Sequence, residues 1–287
     1  MRNDLLRIGL GIAYSLRARR LPVLPRIAAA SLRAALRIEA PDSWLARRLT
    51  PHRTGFVAIC GSLDAEALMR GFRRGLFPFS HVGPKKWWLP TERMTIVPHL
   101  IEREKDVRRL LRNRRYRISF DHSFEPVMRA CAEPRKGRIP LTWITEDIIE
   151  AYAALHRAGH AHSFEAWDAE GELVGGGFGI AAGPVFVIES QFTRQRNASK
   201  AALVTLMRHL SAWGFELADG KAHTSYLEDL GFRLTAHEDF VAVLGDGLTP
   251  AGPAQWSVDE TLDASEDWQA LDAMPGPAAP STRAATG

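Results

Sequence analysis

The chain has few cysteines and no long apolar run, and each shortage excludes a class of protein. Its two cysteines, Cys60 and Cys131, stand in unrelated contexts, so we expect neither a disulfide framework nor a cysteine-rich metal site. This cysteine usage favours a reducing, cytoplasmic location. No apolar stretch reaches the roughly 18 residues that mark a transmembrane helix, so the sequence predicts none.

Acidic residues are almost missing from the first part of the chain. Asp4 is the only acid before Glu39. The same stretch carries many arginines, namely Arg2, Arg7, Arg17, Arg19, Arg20, Arg26, Arg33 and Arg37. Such a segment suits a polyanionic partner, either nucleic acid or an anionic membrane; a solvated helix face is the alternative. We expect residues 1–51 to form a basic helical extension, with contact between residues 1–50 and a membrane surface as one role.

A second basic run follows Asp106 with few matching acids. It contains Arg108, Arg109, Arg112, Arg114 and Arg115. Basic side chains on one helix can contact phosphates, which positions a nucleic acid without reading its sequence. The run therefore predicts a nucleic-acid-binding helix, again with a solvated helix face as the alternative.

Apolar periodicity and turn signals predict an α+β protein. We expect a small N-terminal α/β unit at residues 52–93 and a larger domain at residues 94–247. Residues 248–287 form an acidic and then Pro/Ala-rich tail that we expect to be partly disordered.

The order of elements in the larger domain is informative. A helix precedes three antiparallel strands, the last ending at Glu189. A helix over 199–213, a strand over 215–219 and a last strand over 240–244 follow. This order resembles that of a GCN5-related acyltransferase (GNAT-like) fold. In the small unit, Ser62 or Asp64 is placed to cap a helix.

Residues 188–200 (IESQFTRQRNASK) are the most chemically rich stretch. They combine an acid, hydroxyls, amides and cations where a strand leads into a helix. A helix N-terminus adds unpaired N–H groups and partial positive charge. The stretch predicts a site for an anionic, hydrogen-bonding ligand.

A series of motifs in fixed order resembles one family, the leucyl/phenylalanyl-tRNA–protein transferases. The motifs are residues 73–79 (RRGLFPF), 87–90 (WWLP), 142–145 (TWIT), 155–163 (LHRAGHAHS), 189–190 (ES), 197–200 (NASK) and 223–231 (HTSYLEDLG). Together they span about residues 54–245. The resemblance does not extend to the N-terminal extension or the tail.

The resemblance implies an enzyme that moves Leu, Phe or Met from aminoacyl-tRNA to the α-amino group of a protein beginning with Arg or Lys. The new N-terminus then marks the protein for degradation. It implies a GNAT-like catalytic domain that uses no metal and no other cofactor. Coenzyme A is not expected, because Arg194–Ser199 stands where a pyrophosphate-binding loop would be.

The resemblance also implies roles for individual residues. Phe79, Trp143 and Leu206 would line an apolar pocket for the aminoacyl side chain, although ordinary core positions are the alternative. Glu189, beside Ser190, would recognise the basic end of the acceptor; a partner for Arg194 or Arg196 is the alternative.

Asn197 and Ser199 open the next helix and would contact the 3′-terminal adenosine, cap the helix, or both. Asp219 matches the catalytic acid. The arginine run from Arg108 to Arg115 would face the acceptor arm of the tRNA.

The main departure from the family is Lys221, which stands where Gln is usual. Ile188 and Gln191 are further departures. Because residues i and i+2 share one face of a strand, Asp219 and Lys221 can form an ion pair. Lys221 would then stabilise the oxyanion or the leaving ribose oxygen. Two alternatives stay open: transfer to a different acceptor, such as a lipid head group or small amine, and an inactive tRNA-binding relative.

Three histidines are candidates for metal ligands or general bases. His160 and His162 enter a predicted strand without cysteine or carboxylate partners at ligand spacing, so a structural role is expected. His223 lies nearer the predicted cleft, and its role is open.

Overall fold

The structure is a computed structural model that describes residues 9–11, 17, 21–36, 38, 49, 51–52, 54–134, 140–245, 252–266 and 268. It confirms the predicted α+β class, because helices pack on two separate sheets. None of the described helices has the length and apolar content to cross a bilayer. The predicted division at residues 51, 93 and 247 stays a prediction.

The larger sheet has seven strands in the order β10-β4-β9-β8-β7-β6-β5. The strands are β4 (Glu92–Ile96), β5 (Arg117–Phe120), β6 (Ala161–Trp167), β7 (Leu173–Ala182), β8 (Val185–Thr193), β9 (Leu217–Lys221) and β10 (Arg233–Ala236). All neighbours are antiparallel except the central pair β8 and β9, which is parallel. The predicted meander of three strands is β6, β7 and β8.

The smaller sheet contains β1 (Phe56–Ile59), β3 (Lys86–Trp88) and β2 (Phe77–Pro78), in that order. Its helix begins after Asp64, whose Oδ1 accepts a 2.7 Å hydrogen bond from the Ala67 N–H. Asp64 is therefore the predicted cap, and Ser62 supports it by donating its hydroxyl to Oδ2 at 2.6 Å.

The helices are α1 (Leu24–Ala35), α2 (Ala65–Phe72), α3 (Lys105–Arg112), α4 (Phe124–Ala132), α5 (Glu146–Arg157), α6 (Ala198–Ala212), α7 (Ser225–Asp229) and α8 (His237–Leu244). Two apolar cores flank the large sheet. The α6 face holds Phe186 and Ile188 of β8 under α6. The α5 face holds Val185 and Val187 of β8 with α4 and α5. Alternate residues of one strand thus enter different cores, as strand geometry requires.

The prediction of a last strand over 240–244 is wrong, because this run lies in α8. Phe240 and Leu244, four residues apart, are buried on one side of that helix. A short apolar run does not distinguish a strand from a helix turn. The strand of this region is β10, an edge strand of the large sheet that pairs with β4 and was not predicted.

Part of the C-terminal segment packs onto the α6 face. Trp256 is buried and stacks on His162 with ring centroids 3.7 Å apart. Trp268 is also buried, between the guanidinium groups of Arg103 and Arg208. Residues 269–287, which include the Pro/Ala-rich end, lie outside the described residues.

Candidate active site

A β-bulge in β8 places Glu189. Phe178 pairs with Ser190 and Gly179 pairs with Ile188, so Glu189 is the extra residue on the bulged strand. Before the bulge the odd-numbered residues face the α5 core, and after it Phe192 does so. Glu189 and Ser190 therefore both turn towards the α5 face. Bulges commonly re-aim side chains next to active sites. The strand continues to Thr193, four residues beyond its predicted end.

The Glu189 carboxylate forms a buried ion pair with Lys221. The Lys221 Nζ lies 2.8 Å from Glu189 Oε2, and Glu189 is almost fully buried. Burial raises the pKa of the Glu189 carboxyl, while the Lys221 ammonium opposes that rise. The alternative that Glu189 pairs with Arg194 or Arg196 is wrong, because Arg194 pairs with Glu133 and Arg196 pairs with Asp106.

Asp219 does not form the expected ion pair with the Lys221 side chain. Lys221 has a φ of 65°, so the strand alternation that would bring the two side chains together is lost. Instead, the Lys221 backbone N–H donates to Asp219 Oδ1 at 2.7 Å. The other oxygen, Oδ2, accepts from Arg93 Nε at 3.0 Å and from Arg93 Nη2. Arg93 reaches it from β4, where Thr95 is paired with Asp219.

Arg93 was not predicted as a site residue. It is buried, donates to the Gly75 carbonyl, and lies 4.3 Å above the Phe240 ring. Its strand reads ERMTI, a mixed run that gives no local sign of burial, and a buried arginine is explained only by its carboxylate partner. We call Glu189, Lys221, Asp219 and Arg93 the ion-pair cluster.

Four aromatic rings form a wall beside the ion-pair cluster: Phe79, Trp143, Tyr152 and Phe178. The Trp143 ring centroid lies 6.2 Å from that of Phe79, 6.0 Å from Tyr152 and 6.5 Å from Phe178. Burial raises the pKa of Tyr152 well above its usual value, and the negative charge of Glu189 raises it further. Phe178 of the wall is paired with Ser190, next to Glu189 on β8, so the wall adjoins the Glu189 carboxylate. Tyr152 and Phe178 were missed, because each reads as an ordinary core residue.

The structure does not bring Leu206 to this aromatic wall. Leu206 is fully buried in the α6-face core, whereas Trp143 packs against the α5-face core. The large sheet lies between the two cores, so the expected pocket made of Phe79, Trp143 and Leu206 is not formed. Phe79 and Trp143 are only half-buried, which leaves part of the wall accessible.

Asn197 and Ser199 open α6 as predicted, but neither caps it as expected. Asn197 occupies the N-cap position with a φ of 60°, and its side chain makes no capping hydrogen bond. Ser199 is buried and is a hydrogen-bond partner of Tyr226. Burial raises the pKa of Tyr226 to about 12.

A hollow of 380 Å³ lies beside Asn197. It is lined by Asp106, Arg109, Leu110, Arg115, Tyr116, Gln195, Arg196 and Asn197, and we call it the basic hollow. Asp106 lies 3.2 Å from Arg109 Nη2 and 2.8 Å from Arg196 Nη2. The hollow joins two arginines of the predicted run, Arg109 and Arg115, to the N-terminus of α6. Arg108 and Arg112 lie on α3, and Arg114 follows it and pairs with Glu260 at 3.8 Å.

The histidines have different surroundings. His162 is buried, with Nδ1 2.7 Å from Asp121 Oδ2 and its ring stacked on Trp256. His223 is exposed and lies 2.8 Å from Glu228. Burial lowers the pKa of His160. Within the described ranges, no three His, Cys, Asp or Glu side chains are grouped to hold a metal ion.

A family model, leucyl/phenylalanyl-tRNA protein transferase, matches residues 95–245, more than half of the chain. The chain belongs to this family. The match covers β8, β9 and α6, and with them Trp143, Glu189 and Asp219. It confirms the family and the enzyme class that the motifs predicted.

Curated relatives extend this similarity over most of the chain. A leucyl/phenylalanyl-tRNA–protein transferase of Pseudomonas fluorescens (strain SBW25) is 44% identical over 203 residues, which are 70% of this chain and 89% of the relative. The enzyme of that name from Syntrophobacter fumaroxidans is 41% identical over 209 residues, covering 72% and 87% of the two chains. The one from Chromobacterium violaceum is 41% identical over 203 residues, covering 70% and 86%.

Proposed function

We propose that this enzyme transfers Leu or Phe, or Met, from aminoacyl-tRNA to the α-amino group of a protein that begins with Arg or Lys. The observation that carries the proposal is the bulge at Glu189, which sets the ion-pair cluster against the aromatic wall. The apolar side chain of the donor amino acid needs an aromatic surface, and the charged amine of the acceptor needs ionic groups beside it. The acceptor proteins would then be marked for degradation.

The fold supports the proposal through its central strands. We propose a GNAT-like domain, because one parallel pair, β8 and β9, interrupts an otherwise antiparallel sheet and a bulge lies beside it. The two strands begin in register, from Val185 to Val187. Helix α6 follows the bulged strand β8, so the N-terminus of α6 lies at the end of the sheet where β8 finishes. A helix N-terminus favours binding of an anionic group.

The donor is proposed to lie along β8. Phosphates of the tRNA acceptor arm would bind the basic hollow near Arg109 and Arg115, while the aminoacyl side chain would contact Trp143 and Phe79. From Glu189 to Thr193 the strand spans roughly 13 Å, and the hollow begins two residues later at Gln195. The 3′ end of one aminoacyl-tRNA can therefore contact both the basic hollow and the aromatic wall. Ser190 and Asn197 lie along this path.

The ion-pair cluster supplies the groups that ester aminolysis needs. The acceptor amine attacks the ester carbonyl, loses a proton and displaces the ribose oxygen, which gains a proton. Burial raises the pKa of Glu189, which makes it a better base near neutral pH. Lys221 donates to the developing oxyanion. Asp219, held by Arg93, positions Lys221 through its backbone N–H.

One observation favours a second candidate, transfer to an acceptor without a basic side chain. The 2.8 Å contact of Lys221 neutralises the carboxylate that would otherwise recognise Arg or Lys. A small amine or a lipid head group would then replace the protein acceptor. The reaction with aminoacyl-tRNA would be the same, so the two candidates differ only at the Glu189–Lys221 pair. A cytoplasmic location is proposed in both cases, since aminoacyl-tRNA is made there.

Single-turnover transfer of labelled Leu or Phe separates these candidates. Peptides that differ only in an N-terminal Arg, Lys or Ala are compared on the wild type and Lys221→Gln. Preference of the wild type for Arg and Lys supports the first candidate. Equal use of Ala supports the second. A wild type that binds charged tRNA but transfers to no amine, including small amines and lipid vesicles, would leave only the inactive tRNA-binding relative.

A further inference from the structure

Helix α1 has one face packed on the protein and one face open to solvent. Val23 is buried and Leu24 and Ile27 are half-buried, and they face β1, against which α1 packs. These residues recur at helical spacing and account for the attachment of α1 to the small sheet. On the other side of the helix, Arg26 donates to Thr54 Oγ1 at 3.3 Å, and the positions Ala28, Leu32 and Leu36 are exposed.

The open face is apolar. Ala28, Leu32 and Leu36 are four residues apart and form one row along the helix. Leu32 is 60% exposed and Leu36 is 61% exposed; Ile38, just beyond, is 63% exposed. In the part of the chain that the structure describes, four of the six exposed large apolar side chains, counting Leu21, fall within residues 21–38. A concentration of this kind marks an interaction surface, whereas single exposed leucines do not.

The charges beside this row have one sign. Arg26 and Arg33 are seven residues apart, exposed, and lie next to the apolar row on the same side. No acidic residue occurs between Asp4 and Glu39 in the sequence. A nucleic acid would match the arginines but not the leucines. A bilayer with anionic head groups matches both, because acyl chains accept the leucines and phosphates accept the arginines.

We propose that the open face of α1 binds the surface of an anionic lipid bilayer, with Leu32 and Leu36 inserted and Arg33 at the head groups. The binding is peripheral and reversible, because the row is short. It brings the enzyme to the membrane surface and does not depend on the transferase reaction. The acceptor of the aminoacyl group can be a protein whether or not α1 is bound to lipid.

Co-sedimentation of the full chain with vesicles tests the proposal. Vesicles of phosphatidylglycerol are compared with vesicles of phosphatidylcholine, at low and at physiological salt. The double variant L32S/L36S removes the apolar row, and we expect its partition coefficient on anionic vesicles to fall at least about tenfold. Arg33→Glu is expected to lose about tenfold on anionic vesicles and little on neutral ones. Leu100→Ser is the matched control, because Leu100 is 52% exposed elsewhere on the chain.

Three results would overturn the proposal. The first is wild-type binding no stronger to anionic than to neutral vesicles. The second is unchanged binding of L32S/L36S, which would place the contact elsewhere. The third is concentration-dependent self-association that L32S/L36S abolishes while vesicle binding is absent, which would make the face a contact between copies of the chain. Transfer to a soluble peptide is measured on every variant, and we expect it to be unchanged, which also shows that the variants fold.

Discussion

Arg93 meets Asp219 in the interior beside the Glu189–Lys221 pair, whereas Arg109 and Arg196 meet Asp106 at the rim of the basic hollow. Both regions match arginine with aspartate. Arg93 and Asp219 are almost fully buried, but the Arg109 and Arg196 side chains are largely exposed. Water therefore screens the second set and not the first. The comparison teaches that the same two residue types serve structure where water is excluded, and are free to serve the ligand binding that we propose where water has access.

Burial decides this division of roles. A charge without a partner in the interior is strongly unfavourable, so each buried ion of the cluster depends on the others. At an exposed site the arginines keep most of their hydration and can exchange Asp106 for a phosphate at little cost. Three predictions test the contrast, and a fourth concerns a buried histidine elsewhere in the interior.

The largest effect is expected from removing Arg93. Arg93→Ala leaves Asp219 buried without its cation, and we expect the free energy of unfolding to fall by about 3–5 kcal/mol. Arg109→Ala is the matched change at the hollow and should cost less than about 1 kcal/mol. Urea unfolding followed by fluorescence measures both. Equal losses in the two variants would contradict the distinction between the regions.

The next effect concerns catalysis. Glu189→Gln removes the proposed base and leaves Lys221 without its counter-ion, so we expect kcat/KM for aminoacyl transfer to fall about a hundredfold. Binding of charged tRNA should change little. Glu146→Gln, at an exposed pair with Arg129, is the control. If Glu189→Gln transfers at the wild-type rate, Glu189 is not the base.

A smaller effect is expected at the basic hollow. The double variant R109A/R115A should raise KM for aminoacyl-tRNA several-fold and leave kcat unchanged, because phosphate contacts position the donor. The slope of log KM against log salt should decrease by about 1 for each phosphate that the variant no longer binds. Arg129→Ala, an exposed arginine on α4, controls for net charge. A fall in kcat with unchanged salt dependence would place tRNA elsewhere.

The smallest effect is a pH dependence from His209. Its Nδ1 donates to the Thr205 carbonyl and its Nε2 accepts the Asp259 N–H, each at 2.8 Å. Burial lowers the pKa of His209, because the charged ring is poorly solvated. The unfolded chain gains a proton near pH 6.5 that the folded chain resists, so the free energy of unfolding should fall as pH drops below about 6.5.

His209→Gln should flatten that dependence, and His223→Gln, at an exposed histidine, should not. Unfolding curves at several pH values measure the slope. Hydrogen exchange should also show weaker protection of the Asp259 amide at low pH, since a protonated Nε2 cannot accept its hydrogen bond. Identical slopes for the wild type and His209→Gln would show that another group titrates.

Local signals were sufficient for much of the fold. The cap at Asp64, the three meander strands and the helix after them follow from side-chain chemistry within a few residues of chain. The motif series predicted the family, which the comparisons confirm. The error at 240–244 arose where the local signal is ambiguous, and pairing with β4 used a different segment, Arg233–Ala236, as the strand.

The site was predictable in part. Glu189, Lys221 and Asp219 do lie together, and Phe79 and Trp143 are in contact. The partner of Asp219 is Arg93, more than a hundred residues earlier in the chain, and no local pattern links the two. Leu206 lies in the α6-face core and not with Trp143 at the α5-face core, because a helix that is buried on most of its sides does not reveal from sequence which of its faces meets which core.

The order of residues alone determined most element types, the family and the list of groups able to do chemistry, because these depend on near neighbours and on motif spacing. Tertiary structure decided which charges face each other. The bulge at Glu189 and the left-handed backbone at Lys221 each break the alternation of side chains between the two faces of a strand. Such breaks depend on how strands from distant parts of the chain pair and pack, so only the folded molecule shows that Lys221 meets Glu189 and Asp219 meets Arg93.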